Sequence, residues 1–424
     1  MKADSQSIRP IFPRLASGPR KMDAEQVARN QRGRLQGAMV EAVARFGYAD
    51  TTLRELVSLA GVSKSTFYEH FESKQDCFLA TFDDITREVG QRVDAAFDQP
   101  GDVRQKMLAG MTTLFGVIAE EQGAASLVTV DSLTLGEVAV PYGERAANRL
   151  EVAIRKTLDE SPAPHRVSEL TVRGIVSGIR NCVYHHLRAG EAGKLPAAAE
   201  PMVDWILCFD GPPGPKAQRG AVVAARESVR PAPSPEPDPE ETSKRERIVR
   251  VATRLCFESG YETLSIPAIA AAAGVSNQTF YEHFPGKQEA FLAGFDLLAE
   301  DALRVVGAAI AAAGETERPE AVAAGLRGLL DHAVADELFA RMAFFDLPRA
   351  GPEALDLADR TLGGFISFLG PAAPPEGKEV PQVVLEAIGG GTWAVIQHEI
   401  AAGRREGLSQ LAPAIAEFVI VPFD

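Results

Sequence analysis

The feature that most constrains the fold is an internal repeat. The segment GVSKSTFYEHFESKQDCFLATFD, which begins at Gly61, returns as GVSNQTFYEHFPGKQEAFLAGFD at Gly274, 213 residues later. Such self-similarity indicates duplicated structural units, so we expect two similar parts in one chain. The repeat continues more loosely downstream, where Gly178 matches Gly391 at the same spacing and Asp131 matches Asp346 at a spacing of 215.

Proline-rich segments mark the borders of the repeats. Residues 211–243 contain GPPGP and RPAPSPEPDPEETS, a composition typical of extended, solvated chain, and residues 1–30 look similarly loose. Elsewhere apolar residues recur at helical spacing, and no period-two series predicts strands. The expected fold class is therefore all-α.

The overall composition says more about the cellular compartment of the protein than about its function. The net charge of −14 does not favour nucleic-acid binding, although phosphate contact requires only a local basic face. The four cysteines are scattered without a CxxC pair, and no apolar run reaches the roughly 18 residues that cross a membrane. The sequence predicts a cytoplasmic protein without a metal site, a cofactor or membrane contact.

The most similar block of the two repeats predicts a series of short helices. In the first copy, one face of a first helix is formed by Leu35, Met39, Val43 and Phe46. Gly47 is expected to stop that helix, and Thr51 or Thr52 can cap the next one. The inward face of this second helix is predicted to comprise Leu53, Leu56, Val57 and Ala60.

The third helix has the features of a helix that contacts base edges in DNA, and we call this helix and its counterpart in the second copy the readers. Gly61 allows a tight turn, Ser63 caps the helix, and Phe67 and Phe71 face the core, four residues apart. The polar outer face is left to Lys64, Ser65, Thr66, Tyr68 and His70. This arrangement predicts a helix-turn-helix motif. At the start of a fourth helix, the ammonium of Lys74 and the free backbone N–H groups can hold a phosphate.

This block resembles the N-terminal signature of the TetR/AcrR family of regulators. The pattern T-x-x-x-[LIV]-[AV]-x-x-A-G-V-S-x-x-T-x-Y-x-H-F-x-x-K is met from Thr52 to Lys74, and again from Ser265 to Lys287 with serine in place of threonine. The resemblance implies that DNA is contacted in the first copy by Thr52, Lys64, Ser65, Thr66, Tyr68, His70 and Lys74. In the second copy it implies the same role for Ser265, Asn277, Gln278, Thr279, Tyr281, His283 and Lys287. Further positive charge lies just ahead of each block, at Arg32, Arg34, Arg245, Arg247 and Arg250. These arginines are either phosphate contacts or solvated charges at a helix end.

The resemblance also implies two tandem TetR-like units and a domain order. The expected domains are a flexible arm (1–30), a first helix-turn-helix domain (31–83), a first helical ligand-binding and dimerisation domain (84–210), a Pro-rich linker (211–243), a second helix-turn-helix domain (244–296) and a second helical ligand-binding and dimerisation domain (297–424). The implied function is a ligand-responsive repressor, not an enzyme, that binds a (pseudo)palindromic operator in double-stranded DNA through motifs at about 53–72 and 266–285.

Each block is followed by more than a hundred residues of helical sequence, enough to enclose a small, mostly apolar effector. Candidate pocket residues in the first half are Phe115, Asp131, Tyr142, Arg145, Tyr184 and His185. In the second half they are Phe344, Phe345, Asp346, Arg360, Trp393 and His398. For any single one of them, packing in the core is the stronger alternative.

Two other classes of function stay open at this point. One is an enzyme, although the sequence has no GxSxG, GxxxxGK[ST] or HExxH motif. The other is a sensor or scaffold in which one reader has lost DNA binding. Because the chain contains both copies, we expect its halves to pair with each other through late helices, with glycines such as Gly174 and Gly391 allowing close approach. A homodimer of two chains is the alternative.

Overall fold

The computed structural model describes residues 23–162, 166–228, 243–261, 263–314, 317–347, 350, 352–369 and 380–424. Every regular element in these ranges is a helix and none is a strand, which confirms the all-α prediction. No helix in the described ranges is both long and apolar enough to cross a membrane.

Within the described ranges, the first repeat forms nine α-helices. They are α1 (Ala24–Asp50), α2 (Leu53–Ala60), α3 (Lys64–His70), α4 (Lys74–Phe97), α5 (Val103–Glu120), α6 (Gln122–Thr129), α7 (Val140–Leu158), α8 (Glu169–Arg188) and α9 (Ala199–Leu207). Residues 24–30 belong to α1, capped by Asp23, so the expectation of a flexible arm is wrong for them. The rest of that arm, residues 1–22, lies outside the described residues.

Short-range signals explain the first three helices. Thr52 caps α2 in a capping box with Glu55, and Ser63 caps α3 by accepting a hydrogen bond from the backbone N–H of Thr66. Gly61 joins the two helices with a φ of +60°, which a residue with a Cβ rarely adopts. The predicted inward residues pack as expected except Phe46, which is 45% exposed because the backbone leaves the helical path at Gly47.

The second repeat follows the same order after one extra helix. Its helices are α10 (Pro215–Ala224), α11 (Lys244–Ser259), α12 (Ile266–Ala273), α13 (Asn277–His283), α14 (Lys287–Ala312), α15 (Arg318–Ala335), α16 (Glu337–Arg341), α17 (Pro352–Leu369), α18 (Gln382–Ala401) and α19 (Leu408–Ile420). A π-helical turn, Met342–Asp346, follows α16.

Helix α10 corrects the prediction of an extended linker over 211–243. Its small residues Ala217, Gly220 and Ala224 are buried, and it packs against α15 and α19. The carboxylate of Asp424 accepts hydrogen bonds from the backbone N–H groups of Lys216 and Ala217 at the start of the helix. Pro215 opens the helix at a position where a missing N–H costs little. Residues 229–242 of the expected linker lie outside the described residues.

The chain divides into two compact units. The first comprises Met1–Val167 with Ile179–Asp210, and the second comprises Ser168–Gly178 with Gly211–Asp424. Helix α8 is therefore shared, because its N-terminal half counts with the second unit and its C-terminal half with the first. Within the second unit, a Cβ added at Gly391 would meet the carbonyl oxygen of Gly174 inside van der Waals contact.

Candidate DNA-binding interface and sensing cavity

The two short helices α3 and α13 are held in the same way. Phe67 and Phe71 in the first copy, and Phe280 and Phe284 in the second, are at most 3% exposed. Each helix therefore buries one face in its own domain. The opposite face is accessible to a partner, because Tyr68 and Tyr281 on it are more than half exposed.

The outward face of α3 carries most of the residues expected to meet DNA. Lys64, Ser65 and Tyr68 are exposed, and the Nζ atom of Lys64 lies 5.9 Å from the centre of the Tyr68 ring. Thr66 is half-buried, and its hydroxyl lies 2.9 Å from that of the capping Ser63. His70 is also half-buried, with its Nε2 atom 3.3 Å from the side-chain oxygen of Gln31.

The outward face of α13 has the same shape but no lysine. Asn277, Gln278, Tyr281 and His283 are exposed. The tyrosine rings of the two copies extend from the surface to a similar degree, with Tyr68 54% and Tyr281 57% exposed. Only the first copy places a cation at the start of this face. The amides of the second copy can instead pair with a base edge.

The structure gives Lys74 and Lys287 a different role from the one expected. The Nζ atom of Lys74 donates to the carbonyl oxygens of Tyr48 and Thr51, both at 2.8 Å, and lies 4.3 Å from the centre of the Tyr48 ring. Lys287 donates to Tyr261 at 3.1 Å and to Leu264 at 3.0 Å. Both ammonium groups are therefore occupied inside their domains and join α4 or α14 to the end of the first helix.

Most of the arginines ahead of each block are also held within the domain. The guanidinium of Arg32 lies 4.7 Å from the ring of Phe71, and that of Arg245 lies 4.9 Å from the ring of Phe284. Arg34 donates to the carbonyl oxygen of Gly61 at 2.9 Å. Arg247 makes the corresponding bond to Ala273. These cations support the reading helix while adding positive charge close to it.

Thr52 and Ser265 remain exposed and cap α2 and α12. Their hydroxyls lie at a helix N-terminus, where the partial positive charge favours a phosphate. The expected set thus divides into an exposed group, the half-buried Thr66, His70 and Thr279, and the two lysines whose ammonium groups are bonded within their domains.

A cavity of about 160 Å³ lies in the first unit, among α4, α5, α6, α7 and the C-terminal half of α8. Its wall is mostly apolar. The lining residues are Ile85, Thr86, Val89, Gly90, Val93, Asp94, Leu114, Val117, Ile118, Glu121, Ala125, Val128, Thr129, Ala146, Ala147, Arg149, Leu150, Ile179, Arg180 and Val183. The space is comparable to a cavity that admits benzene.

Helix α6 connects this cavity with the DNA-binding domain. Its residues Ala125, Val128 and Thr129 line the cavity, whereas Ala124 and Leu127 belong to the apolar core that includes α1 and α3. Helix α6 therefore contacts both the cavity and the apolar core on which α3 packs.

The six residues expected to line a pocket in the first half lie outside the cavity wall. Phe115 is fully buried, and Arg145 forms an ion pair with Asp83 at 3.1 Å while stacking on Tyr142. Burial raises the pKa of Asp131 to about 6, against the opposing effect of a hydrogen bond from Ser126. Tyr184 and His185 form an edge contact with ring centres 5.3 Å apart.

In the second half, the structure brings two of the expected residues together. The rings of Phe344 and Trp393 lie 4.2 Å apart, centre to centre, with Phe344 fully buried. Asp346 is buried and pairs with Arg341 at 3.3 Å, which makes it a structural anchor of the π-helical turn. Phe345 lies half-buried in that turn, Arg360 is exposed on α17, and His398 is half-buried on α18.

Comparison with known proteins finds one family. The family model for bacterial regulatory proteins of the tetR family matches residues 38–81 and 248–293. The "HTH-type transcriptional activator FasR" of Mycolicibacterium smegmatis is 31% identical over 110 residues, which are 26% of this chain and 50% of the relative. The chain thus spans about half the length of the curated relative it matches.

Solved structures of regulators also match. FadR from Bacillus subtilis, in complex with stearoyl-CoA, is 16% identical with a TM-score of 0.38, covering 41% of this chain and 96% of its own. FadR from Bacillus halodurans is 16% identical with a TM-score of 0.39, and the match covers 44% of this chain and 97% of the FadR chain. A TetR-like transcriptional regulator from Rhodococcus sp. RHA1 is 14% identical with a TM-score of 0.36, and the match covers 43% of this chain and 96% of the regulator.

Proposed function

The chain belongs to the TetR family of bacterial regulatory proteins, with the family's N-terminal domain present twice, and from this we propose that it is a ligand-responsive repressor whose two readers bind one operator. The observation that carries the proposal is the repeated exposed face of α3 and α13. On each, a tyrosine and the residues at the start of the helix extend from a buried two-phenylalanine base. Such a helix can enter the major groove with its first turn against the base edges.

The overall acidity of the chain is compatible with this role. Arginines and Lys64 concentrate positive charge around the first reader, although the net charge is −14. Phosphate binding depends on that local charge, and removing one cation that meets a phosphate reduces the slope of log affinity against log salt by roughly one.

DNA binding is tested by titrating salt against the affinity for DNA from upstream of the chain's own gene. A regulator shows a steep salt slope, and Lys64→Ala should reduce that slope by roughly one if the ammonium meets a phosphate. Lys194→Ala is the matched control, because Lys194 is exposed in the first repeat but far along the chain from the reader. Binding that is weak at all salt concentrations and unaffected by both variants would favour another function.

We propose that an effector in the first-unit cavity lowers DNA affinity through α6. The helix has cavity residues on one side and, on the other, Ala124 and Leu127 packed with residues of α1. Gly123 permits a close approach, because an added Cβ would lie 3.3 Å from Val40. An effector that shifts α6 would therefore shift α1. Differential binding of this kind typically gives a coupling of about 1–3 kcal/mol.

The coupling is tested with Leu127→Ala. This variant removes packing on the α1 side and leaves the cavity lining intact, so an effector should still bind while its effect on DNA affinity shrinks. The contrasting variant Val117→Ala, on α5 and outside that core, changes the cavity wall and should weaken effector binding itself. Small molecules that raise the melting temperature without ever changing DNA affinity would contradict the sensing role.

We also propose that the two halves of one chain pair as a pseudo-dimer. Support comes from the second unit, where Gly174 from the first repeat and Gly391 from the second approach closely. A tethered partner has an effective concentration in the millimolar range, which favours pairing within the chain. Light scattering should give a mass near the 45.4 kDa of a single chain. A doubled mass that persists on dilution would support a homodimer instead.

A further inference from the structure

The two repeats differ sharply at the position of one cavity residue, Arg180. Helices α8 and α18 have the same length and are offset by 213 residues, so Arg180 corresponds to Trp393. In the same way α5 and α15 are offset by 215 residues, the offset that also pairs Asp131 with Asp346. At this offset, Thr129 of the cavity wall corresponds to Phe344.

In the second repeat these two positions are filled by rings. Trp393 and Phe344 stack with centres 4.2 Å apart, where the first repeat has an arginine and a threonine facing a cavity. Val117, another lining residue, corresponds to the buried His332, which packs against Phe339 at 4.8 Å. At all three positions the second repeat thus has a larger side chain than the first, which leaves less room there for a ligand.

Arg180 is a charged group of the cavity wall for which the described residues supply no ion pair. Arg149, the other lining arginine, donates two hydrogen bonds to Asp94 at 2.8 and 2.6 Å. Among the described residues, no hydrogen bond or ion pair of Arg180 is found, and the charges of Glu151 and Glu144 raise its pKa without offsetting the effect of burial. Arg180 lies in the cavity wall, and burial of its surroundings lowers its pKa.

We infer that the chain binds one small effector, in the first repeat, and that this effector has an apolar body in the cavity and an anionic group held by Arg180. The inference rests on the proposed sensing function, whose cavity it takes as the effector site. An arginine favours a carboxylate or phosphate because its planar fork donates two parallel hydrogen bonds. The apolar wall and the volume of about 160 Å³ fit a body the size of one aromatic ring. Glu121 also lines the cavity and favours the opposite charge, so the sign of the ligand's charge is the point to test.

Three probes of one shape and different charge separate the possibilities. Phenylacetate, 2-phenylethanol and 2-phenylethylamine are titrated into the full chain and followed by calorimetry. The anion should bind roughly tenfold or more tightly than the alcohol, because a charge-assisted hydrogen bond is added, and the amine should bind least. Equal or tighter binding of the alcohol or amine overturns the inference, as does failure of phenylacetate to bind at millimolar concentration.

Substitution at Arg180 locates the site. Arg180→Met should weaken phenylacetate roughly tenfold to a hundredfold and leave 2-phenylethanol unchanged, while Arg180→Lys, which retains the charge, should keep part of the affinity. Arg188→Met on the same helix, outside the cavity wall, is the control and should have no effect. Wild-type binding of phenylacetate by Arg180→Met would place the anion elsewhere, for example in the second repeat, and refute a single site.

A separate DNA-binding assay distinguishes a failure of the sensing function from a failure of the ligand assignment. If phenylacetate binds through Arg180 but never alters DNA affinity, the sensing function fails and the ligand assignment stands. If DNA affinity responds to other small molecules while Arg180→Met changes nothing, the assignment fails and the sensing function stands.

Discussion

The Nζ atom of Lys74 donates a hydrogen bond of 2.8 Å to the carbonyl oxygen of Tyr48 and lies over the ring of the same residue. The second repeat reproduces the pair with Lys287 and Tyr261. These carbonyls end the first helix of the domain, so the lysine fixes α1 to the helix that follows the reader. A stabilising role of this lysine therefore stands beside the phosphate contact predicted from the sequence.

Lys74→Met should destabilise the protein by about 2–3 kcal/mol, because carbonyl groups that accept from a charged donor lose their partner. The measurement is the free energy of unfolding of the full chain in denaturant. Lys64→Ala, at an exposed position close by, should leave stability within about 0.5 kcal/mol of the wild type. If Lys74→Met keeps full stability but reduces the salt slope of DNA binding, the lysine meets phosphate after all.

The two readers should select different half-sites. The first places Lys64 at the start of its outward face, where a lysine can donate to guanine O6 and N7. The second places Asn277 and Gln278 there, whose amides match adenine N6 and N7. Selection from random DNA should therefore yield an asymmetric operator. Exchanging Lys64-Ser65 for Asn-Gln should make the selected site more symmetric, and a perfect palindrome from the wild type would contradict the prediction.

Gly391→Ala should destabilise the second unit by about 1–3 kcal/mol. The added methyl group meets the carbonyl oxygen of Gly174 and lies 3.0 Å from the ring of Phe418, so backbone must move. Gly307→Ala is the matched control, since Gly307 is also inside a helix but has nothing within 4 Å of an added Cβ. Alanine there should stabilise by about 0.5–1 kcal/mol through helix propensity. Thermal unfolding of both variants measures the difference, and equal effects would refute the close approach.

Asp131→Asn should stabilise the protein at neutral pH. Burial raises the pKa of Asp131 from 3.8 to about 6, so the folded state holds its proton more tightly than the unfolded state does. Stability from this group is full below pH 3.8 and is lost as pH rises to about 6. The variant removes that loss and should gain about 1–2 kcal/mol at pH 7.5 but little at pH 4, after allowance for partial exposure.

Removing the hydrogen bond from Ser126 should have the opposite effect, because that bond favours the ionised carboxylate. Ser126→Ala should therefore lower stability at pH 7.5 more than at pH 4. A pH-independent difference between Asp131→Asn and the wild type would show that ionisation of Asp131 is not involved.

The reading helices were predictable because their signals are local. The cap at Ser63, the turn at Gly61 and the spacing of Phe67 and Phe71 act within a few residues of one another. The hydrogen bonds of Lys74 could not be predicted in this way, because the carbonyl groups that accept them lie 23 to 26 residues away and are positioned by the break in α1 at Gly47. Helix α10 was missed because proline-rich flanks obscured its pattern of small residues.

The cavity was harder to predict because five helices contribute its wall and no spacing in the sequence brings them together. Aromatic and charged side chains near the matched positions suggested pocket residues, but Phe115 packs in the core and Arg145 pairs at the surface. A comparison of the repeats position by position carries a better signal. It shows that Arg180 corresponds to Trp393, so the two repeats differ in charge and side-chain volume at this position.

Helix α8 runs without interruption for 20 residues, roughly 30 Å, and Arg180 lies two residues beyond the point where it passes from the second compact unit to the first. The chain cannot be cut into two independent repeats at the proline-rich segment without leaving residues 168–178 bare of their packing partners. Duplication has thus left part of the packing of the second unit encoded in the first repeat.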